Sequence, residues 1–158
     1  MGLHIEFINR SELSAGKEIS MDIKIRDGFD NMDFEKVTQM LSKASWSKNI
    51  KIDEVKQGAF YSSLVVGAFY DNMQIGYARV ISDRTRFAYI ADVYIDENYR
   101  HNGIATKIMA YILSHETLKD VYQWILRSSA NELYKEAGFK AISEPEKWME
   151  IRNTRPER

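Results

Sequence analysis

One six-residue segment, RHNGIA at 100–105, has the composition and position of a phosphate-binding loop. It follows an apolar run at 87–95 that is typical of a strand, and it precedes apolar residues at helical spacing from Ile104 to Ile112. A loop at the start of a helix aims several backbone N–H groups at one point, where the helix dipole adds partial positive charge. Gly103 allows a phosphate to approach the backbone closely. The segment therefore indicates a phosphate site at a strand–helix junction, and the alternative for these six residues alone is a solvated loop whose glycine starts the helix.

The glycine spacing of this segment excludes two familiar nucleotide loops. A Walker A loop needs G-x-x-x-x-G-K followed by Ser or Thr, and a dinucleotide loop needs G-x-G-x-x-G. The segment fits a third pattern instead, Arg/Gln-x-x-Gly-x-Gly/Ala. A second motif, NELYKEAGF at 131–139, follows further along the chain, with an apolar run at 121–126 between the two.

Both motifs, in this order, resemble those of the GNAT superfamily, the Gcn5-related N-acetyltransferases. The first is similar to the pyrophosphate loop of that superfamily, and the second to the signature Asn/Ala-x-x-Leu-Tyr-x-x-x-Gly-Phe that closes its cofactor site. The resemblance extends over about residues 21–152. It implies acetyl-CoA as cosubstrate, without a metal, and an α/β fold: a mixed β-sheet with helices on both faces and splayed strands that form the acyl-CoA cleft.

The resemblance also implies which residues contact the cosubstrate. The strand end at 93–95 would carry the pantetheine arm through backbone groups, and the loop at 100–106 would cradle the pyrophosphate. Some side-chain roles stay open, since Thr106 could contact phosphate or cap its helix, and Asn131 could bind a pantetheine amide or begin a helix. The expected cofactor-binding residues are Val93, Tyr94, Ile95, Arg100, His101, Asn102, Gly103, Ile104, Ala105, Thr106, Asn131 and Tyr134.

Tyr134 is the catalytic candidate that the resemblance supplies. The equivalent tyrosine donates a proton to the departing thiolate, and the ordinary pKa values of a thiol, near ~8.5, and a tyrosine, near ~10, suit that transfer. The alternative is a buried aromatic that packs beside Leu133 and Phe139.

The general base is less well defined, because Asp92, Tyr89, Asp83 or only water could accept the amine proton. Asp92 lies within an apolar strand, an unusual place for a carboxylate, and could instead bond loop amides. Tyr89 is expected on the same face as Val93. Trp46, Phe60 and Tyr61 could line an acceptor pocket or belong to the core.

The overall composition of the chain limits the classes of function that it can have. A chain of 158 residues with 44% hydrophobic residues predicts a single soluble domain with a substantial core. The net charge of −1 gives no electrostatic case for nucleic acid. No apolar run approaches the roughly 20 residues of a membrane span, and no secretory leader is evident, so we expect a cytoplasmic protein. The absence of cysteine excludes disulfides and thiol catalysis, and the three histidines lack metal-ligand spacing.

The pattern predicts one acetyltransferase domain at 21–158, preceded by an extension at 1–20 with a short strand near Leu3–Phe7. The predicted element order is β-α-α-β-β-β-α-β-α-β-β. Asp33 is a plausible N-cap for the first helix, and the second helix is expected to begin near Asp53. The remaining predicted elements are strands at 21–25, 64–70, 74–82, 87–95, 121–126, 139–142 and 148–152, and helices from 104 to about 115 and from 130 to 136.

The function these expectations favour is acetyl-CoA-dependent N-acetylation of a primary amine, in a small molecule or a peptide, by direct transfer through a ternary complex. A non-catalytic module that binds or senses acyl-CoA with the same fold is the alternative. The extension at 1–20 could mediate assembly, and a homodimer is possible. Nothing in the sequence names the acceptor.

Overall fold

Five strands form one sheet, in the spatial order β1-β2-β3-β4-β5, in the computed structural model, which describes residues 20–155, 157 and 158. Two helices separate the first two strands, and one helix separates the last two. The elements are β1 (Lys24–Asp27), α1 (Phe34–Leu41), α2 (Ile52–Phe60), β2 (Leu64–Tyr70), β3 (Met73–Ser82), β4 (Phe87–Ile95), α3 (Ile104–Leu113), β5 (Gln123–Leu126) and α4 (Asn131–Glu136).

The sheet is mixed, as predicted. Strands β1 to β4 pair antiparallel, and the β2–β3 hairpin turns through Asp71 and Asn72, which both have positive φ. This is the backbone that a two-residue hairpin with matching twist requires. After the crossover through α3, β5 pairs parallel to β4, but the pairing covers only Phe87–Ile90 of β4, which runs on to Ile95. The parallel pairing therefore ends with β5 at Leu126, and β4 continues for five residues beyond it.

Helices cover both faces of the sheet and bury a separate core against each. On one face α3 contributes Ile104, Ile108 and Ile112, which pack against the sheet residues Val66 and Val80. On the other face α1 and α2 pack on a second cluster that includes Val37. Strand β2 is buried on both faces, which explains why its sequence, LVVGAFY, is continuously apolar rather than alternating.

Strand β4 carries a β-bulge at Asp92. Tyr77 of β3 lies opposite Tyr94, but Arg79 lies opposite Ala91, so β4 has one extra residue in this interval. Asp92 has a φ of 55°, a backbone conformation that Asp tolerates better than most residues. The extra residue reverses the alternation, and the expectation that Tyr89 shares a face with Val93 is therefore wrong. Val93 packs in the α3-side cluster, whereas Tyr89 lies on the opposite side of the sheet, beside Trp46 and Arg79.

The predicted C-terminal strand pair is not formed. Residues 139–155 contain a single 3-10 turn, Pro145–Lys147, and no strand. The apolar residues that suggested the last strand have no sheet to pack against, since Met149 and Ile151 are 95% and 89% exposed. In the described residues β5 therefore remains an edge strand.

Other boundaries differ by a few residues. Strand β1 begins at Lys24 rather than Met21, and β5 begins at Gln123 rather than Val121. The strand expected near Leu3–Phe7 lies outside the described residues. None of the helices in the described residues has the length and apolar character to span a bilayer.

Candidate functional site

A cleft of about 610 Å³ opens where β4 loses its parallel neighbour. From Ala91 onward no strand among the described residues pairs with β4 on the β5 side. We call this space the loop cleft, because the end of β4, the loop at 100–106 and the start of α3 form much of its wall. Its remaining walls come from α4 and from the segment at 43–46, which follows α1. The lining residues of the predicted set are Val93, Tyr94, Ile95, Arg100, His101, Gly103, Ile104, Ala105, Thr106 and Tyr134.

The loop presents unsatisfied backbone donors to this cleft. The first bond of α3 that reaches back to its N-cap runs from the Lys107 amide to the Gly103 carbonyl, at 3.1 Å. The amides at 104–106 therefore have no acceptor within the helix. No side chain caps this terminus in the part of the chain that the structure describes. An uncapped helix start that lines a cleft is suited to hold a phosphate group.

Two loop residues have left-handed backbone, Gly103 with φ 71° and His101 with φ 65°. The positive φ of His101 is uncommon for a residue other than glycine. A Cβ added at Gly103 would meet no atom within 4 Å. The backbone angle therefore favours glycine at this position, whereas packing within the chain does not require it.

Arg100 and Asn102 stabilise the loop from within. The Arg100 guanidinium lies 5.1 Å from the centroid of the Tyr94 ring, and its Nε donates to the Ile95 carbonyl at 3.1 Å. Asn102 Nδ2 donates to the carbonyls of Tyr99 and Arg100, at 2.9 Å and 3.1 Å, and Asn102 does not line the cleft. Burial raises the pKa of the Tyr94 phenol, although the charge of Arg100 opposes the shift.

Residues of the motif at 131–139 fix the position of Tyr134, which belongs to α4. The helix ends in a Schellman motif, in which Gly138 at φ 97° and Phe139 donate to the carbonyls of Lys135 and Tyr134, both at 2.9 Å. This turn brings Phe139 edge-on to Tyr134, with ring centroids 6.2 Å apart. Tyr134 is only 8% exposed. Burial raises the pKa of its phenol, and Ser128 opposes part of that shift, so the group is protonated at neutral pH.

A second cavity of about 680 Å³ lies on the other side of Tyr134. We call it the arginine cavity, because Arg79, Arg127, Arg152 and Arg155 all line it. The two spaces share four lining residues, Ser45, Trp46, Val93 and Tyr134. Tyr134 and the bulged end of β4 therefore stand between a cleft of backbone donors and a cavity of cationic side chains.

Asp92 lies in the arginine cavity with both carboxylate oxygens engaged. Its Oδ2 is 2.6 Å from Arg79 Nε, and its Oδ1 accepts from Trp46 Nε1 at 3.2 Å. The bulge turns this carboxylate toward the Arg79 and Trp46 side of the sheet. Asp92 is therefore placed beside any group that occupies the arginine cavity, with Trp46 and Arg79 fixing its orientation.

The structure places three other residues predicted for the site, Asp83, Tyr89 and Asn131, in three different surroundings. Asp83 closes the β3–β4 loop, where one oxygen accepts from three amides, and these bonds lower its pKa to about 2. It lines neither the loop cleft nor the arginine cavity, so its candidacy as base is wrong. Tyr89 lines the arginine cavity. Asn131 lines neither space and lies in a separate depression beside β5 and Phe139.

The three aromatic residues predicted for an acceptor pocket or the core also lie in different places. Trp46 lines both spaces, whereas Phe60 and Tyr61 are 67% and 75% exposed and line neither, so neither of the latter is a core residue. The sequence analysis missed Lys43, Ser45, Arg127, Arg152 and Arg155. The density of arginine in the last seven residues, RNTRPER, was the one available signal for two of them. No cluster of three or more potential metal ligands occurs in the described residues.

Comparison with known proteins defines the class of this site. The family model described as an acetyltransferase (GNAT) domain matches residues 61–141, which include β2 to α4 and both motifs. A GNAT-family protein from Xanthomonas campestris pv. campestris is 28% identical, with a TM-score of 0.78, over 83% of this chain and 93% of that chain. No protein with curated annotation matches the sequence.

Two more distant structures share the fold. A GNAT-family protein from Streptococcus pneumoniae TIGR4 has a TM-score of 0.67 at 20% identity, over 85% of this chain and 99% of that one. A Clostridium acetobutylicum protein, whose structure was solved with acetyl-CoA, has a TM-score of 0.62 at 20% identity, over 82% and 96%. The chain described here belongs to the GNAT family of acetyltransferases.

Proposed function

We propose that this protein is an acetyl-CoA-dependent N-acetyltransferase that transfers an acetyl group directly to a primary amine. The observation that carries the proposal is the position of Tyr134, a buried and protonated phenol at the junction of the loop cleft and the arginine cavity. Each space can hold one reactant, and the phenol lies where the two reactants would meet.

The residues present fit acetyl-CoA. The uncapped amides at 104–106 and the charges of Lys43 and Arg100 suit a pyrophosphate. The unpaired edge of β4 at 93–95 offers backbone donors and acceptors to the amides of a pantetheine arm, much as a neighbouring strand would. When bound, acetyl-CoA supplies an acyl group that is activated as a thioester.

The protein's contribution to transfer is positioning and proton donation. A C–N bond forms as the C–S bond breaks, one proton leaves the amine, and the Tyr134 hydroxyl protonates the departing sulfur. Holding amine and thioester together can supply on the order of 7–11 kcal/mol of rate enhancement in well-oriented cases. Asp92, or a water that it orients, is the proposed acceptor of the amine proton. No covalent enzyme intermediate is needed.

The proposed domain comprises residues 21–158, with the extension at 1–20 outside the catalytic unit. The decisive experiment combines calorimetry of acetyl-CoA binding with an amine-library screen that follows release of the coenzyme A thiol. We expect micromolar-range binding together with acetylation of at least one amine class, verified by product mass. Binding without turnover on any amine would favour the sensing module. Absence of binding would remove the proposed role of the loop.

A further inference from the structure

We propose that the acceptor carries an anionic group, a carboxylate or a phosphate, in addition to its amine, and that the arginine cavity binds that group. The inference rests on the proposed function, because it describes the amine that the same site would acetylate. It starts from charge, since four arginines line the arginine cavity and the lining includes a single carboxylate residue, Asp92.

The negative charge of this one carboxylate is already balanced by an arginine of the same cavity. Asp92 pairs with Arg79 at 2.6 Å, and the side chains of the pair are only 16% and 21% exposed. Arg152 pairs with Glu150 at 3.1 Å in an exposed setting. Arg127 and Arg155 have no carboxylate within 4.0 Å among the residues that the structure describes. The cavity therefore retains positive charge that its own residues do not neutralise.

The chain holds these arginines at the cavity from two directions. Arg127 follows β5, at the point where β5 diverges from β4. Arg155 belongs to the tail at 148–158, whose end is fastened to α2 by an ion pair between Arg158 and Glu54. Arg152, which precedes Arg155 in the tail, also lines the cavity. The tail is thus positioned as one wall of the acceptor space.

Arginine is suited to this task by its shape. A guanidinium presents several N–H donors in a planar fork that matches the oxygens of a carboxylate or a phosphate. Ser128 and Ser129 add hydroxyl donors to the same wall. The same positive charge disfavours a second ammonium group in the acceptor, because like charges at short range repel. The cavity therefore selects for anionic amines and against diamines.

The test uses small amines that differ mainly in one terminal group. The probes are 2-aminoethyl phosphate, 3-aminopropanoate, 2-aminoethanol and 1,3-diaminopropane. Calorimetry measures the Kd of each for the full chain, with and without coenzyme A, and thiol release measures kcat/KM. We expect one of the two anionic probes to bind at least about tenfold more tightly than 2-aminoethanol, the gain expected of one or two charge-assisted hydrogen bonds. The phosphate and carboxylate arms show which anion is preferred.

The variant Arg127→Gln/Arg155→Gln should abolish this preference, while leaving acetyl-CoA affinity within about twofold. The matched control is Arg86→Gln, which removes one exposed arginine outside both spaces. Equal affinity for all four probes, or a preference that survives in the double variant, would overturn the inference. Tight acetyl-CoA binding with equal turnover of neutral and anionic amines would leave the proposed function standing and remove only this inference. Selective binding of an anionic probe without acetyl transfer would support the anion site and would remove the proposed function.

Discussion

The loop cleft and the arginine cavity meet at Tyr134 but are built in different ways. The loop cleft draws mainly on one continuous stretch, 93–106, and much of what it offers a ligand is backbone. The arginine cavity draws on charged side chains from positions as distant as 79 and 155. Backbone recognition needs a local conformation, which a short motif can encode, whereas convergent side chains need the whole fold.

This contrast predicts different sensitivities. A substitution in the loop cleft should change binding of the proposed cosubstrate through geometry, and a substitution in the arginine cavity should change binding of the proposed acceptor through charge. Tyr134 belongs to both spaces and should act on the transfer step itself. The predictions below separate these three effects, from the largest to the smallest.

Tyr134→Phe should lower kcat about hundredfold, with little change in the Kd of acetyl-CoA. The neutral thioester sulfur is a poor hydrogen-bond acceptor and the departing sulfur is a strong one, so the phenol stabilises the transition state selectively. The ring and its packing on Phe139 are kept. Steady-state kinetics and calorimetry on both proteins provide the measurement.

The control for this variant is Tyr70→Phe, which removes a partly buried phenol outside both spaces. It should leave kcat within about twofold. Full kcat in Tyr134→Phe would reduce Tyr134 to a core aromatic and would break the claim that the two spaces share a chemical centre.

Gly103→Val should weaken acetyl-CoA binding by about tenfold or more, because a branched side chain would occupy the space that a phosphate needs. It should also destabilise the fold by about 1–2 kcal/mol, since φ at this position is 71°. Calorimetry and denaturant unfolding measure the two effects.

Gly28→Val is the matched control, because Gly28 has φ 96° and lines neither space. We expect an equal or larger loss of stability with unchanged affinity, because the ψ of 143° at Gly28 lies outside the left-handed helical region that Gly103 occupies. If both variants lost affinity in proportion to stability, backbone strain alone would explain the loop glycine.

Asp92→Asn should destabilise the protein by about 1–3 kcal/mol, because it leaves the largely buried Arg79 guanidinium without its counter-charge. The acetyl-CoA Kd should change less than about threefold, which would confirm that the two spaces are energetically separable. Denaturant unfolding of Asp92→Asn, Arg79→Gln and the double variant forms a cycle. A coupling energy near zero would show that the pair contributes no net attraction.

Asp83→Asn should produce the smallest effect, confined to acid pH. The folded pKa of Asp83 is about 2, below the ordinary value of 3.8. Its carboxylate therefore stabilises the fold above about pH 4 and loses that contribution as the pH falls through 2. The Tm difference between wild type and Asp83→Asn should be present at pH 6 and shrink by pH 2. Acetyl-CoA affinity at pH 7 should not change.

The elements predicted best from sequence were those with the strongest local signals. The bounds of β2 and β4 were predicted correctly, and Asp33 caps α1 by accepting from the Lys36 amide at 3.0 Å. Continuous apolar runs and capping residues report directly on local structure. The strand–loop–helix context of the segment at 100–106 was predictable for the same reason.

Three features escaped prediction because they depend on the whole sheet. The bulge at Asp92 becomes visible only when β3 and β4 are aligned. Because of the bulge, Tyr89 lies on the face of the sheet opposite to the predicted one. The apolar residues at 148–152 suggested a strand, but in the described residues no strand lies beside β5 to pair with it. The arginine cavity assembles residues that no spacing rule connects.

The bulge at Asp92 gives this strand an unusual tolerance to the loss of a residue. Deleting one residue from a strand ordinarily turns every following side chain to the opposite face. Here the deletion of Asp92 would join Ala91 to Val93, place Val93 opposite Ala78, and leave the pairs Arg79–Ala91 and Tyr77–Tyr94 as they are. The ladder would become regular with the same residues inward. The regular ladder would thus be restored by the loss of the one residue that carries the carboxylate paired with Arg79.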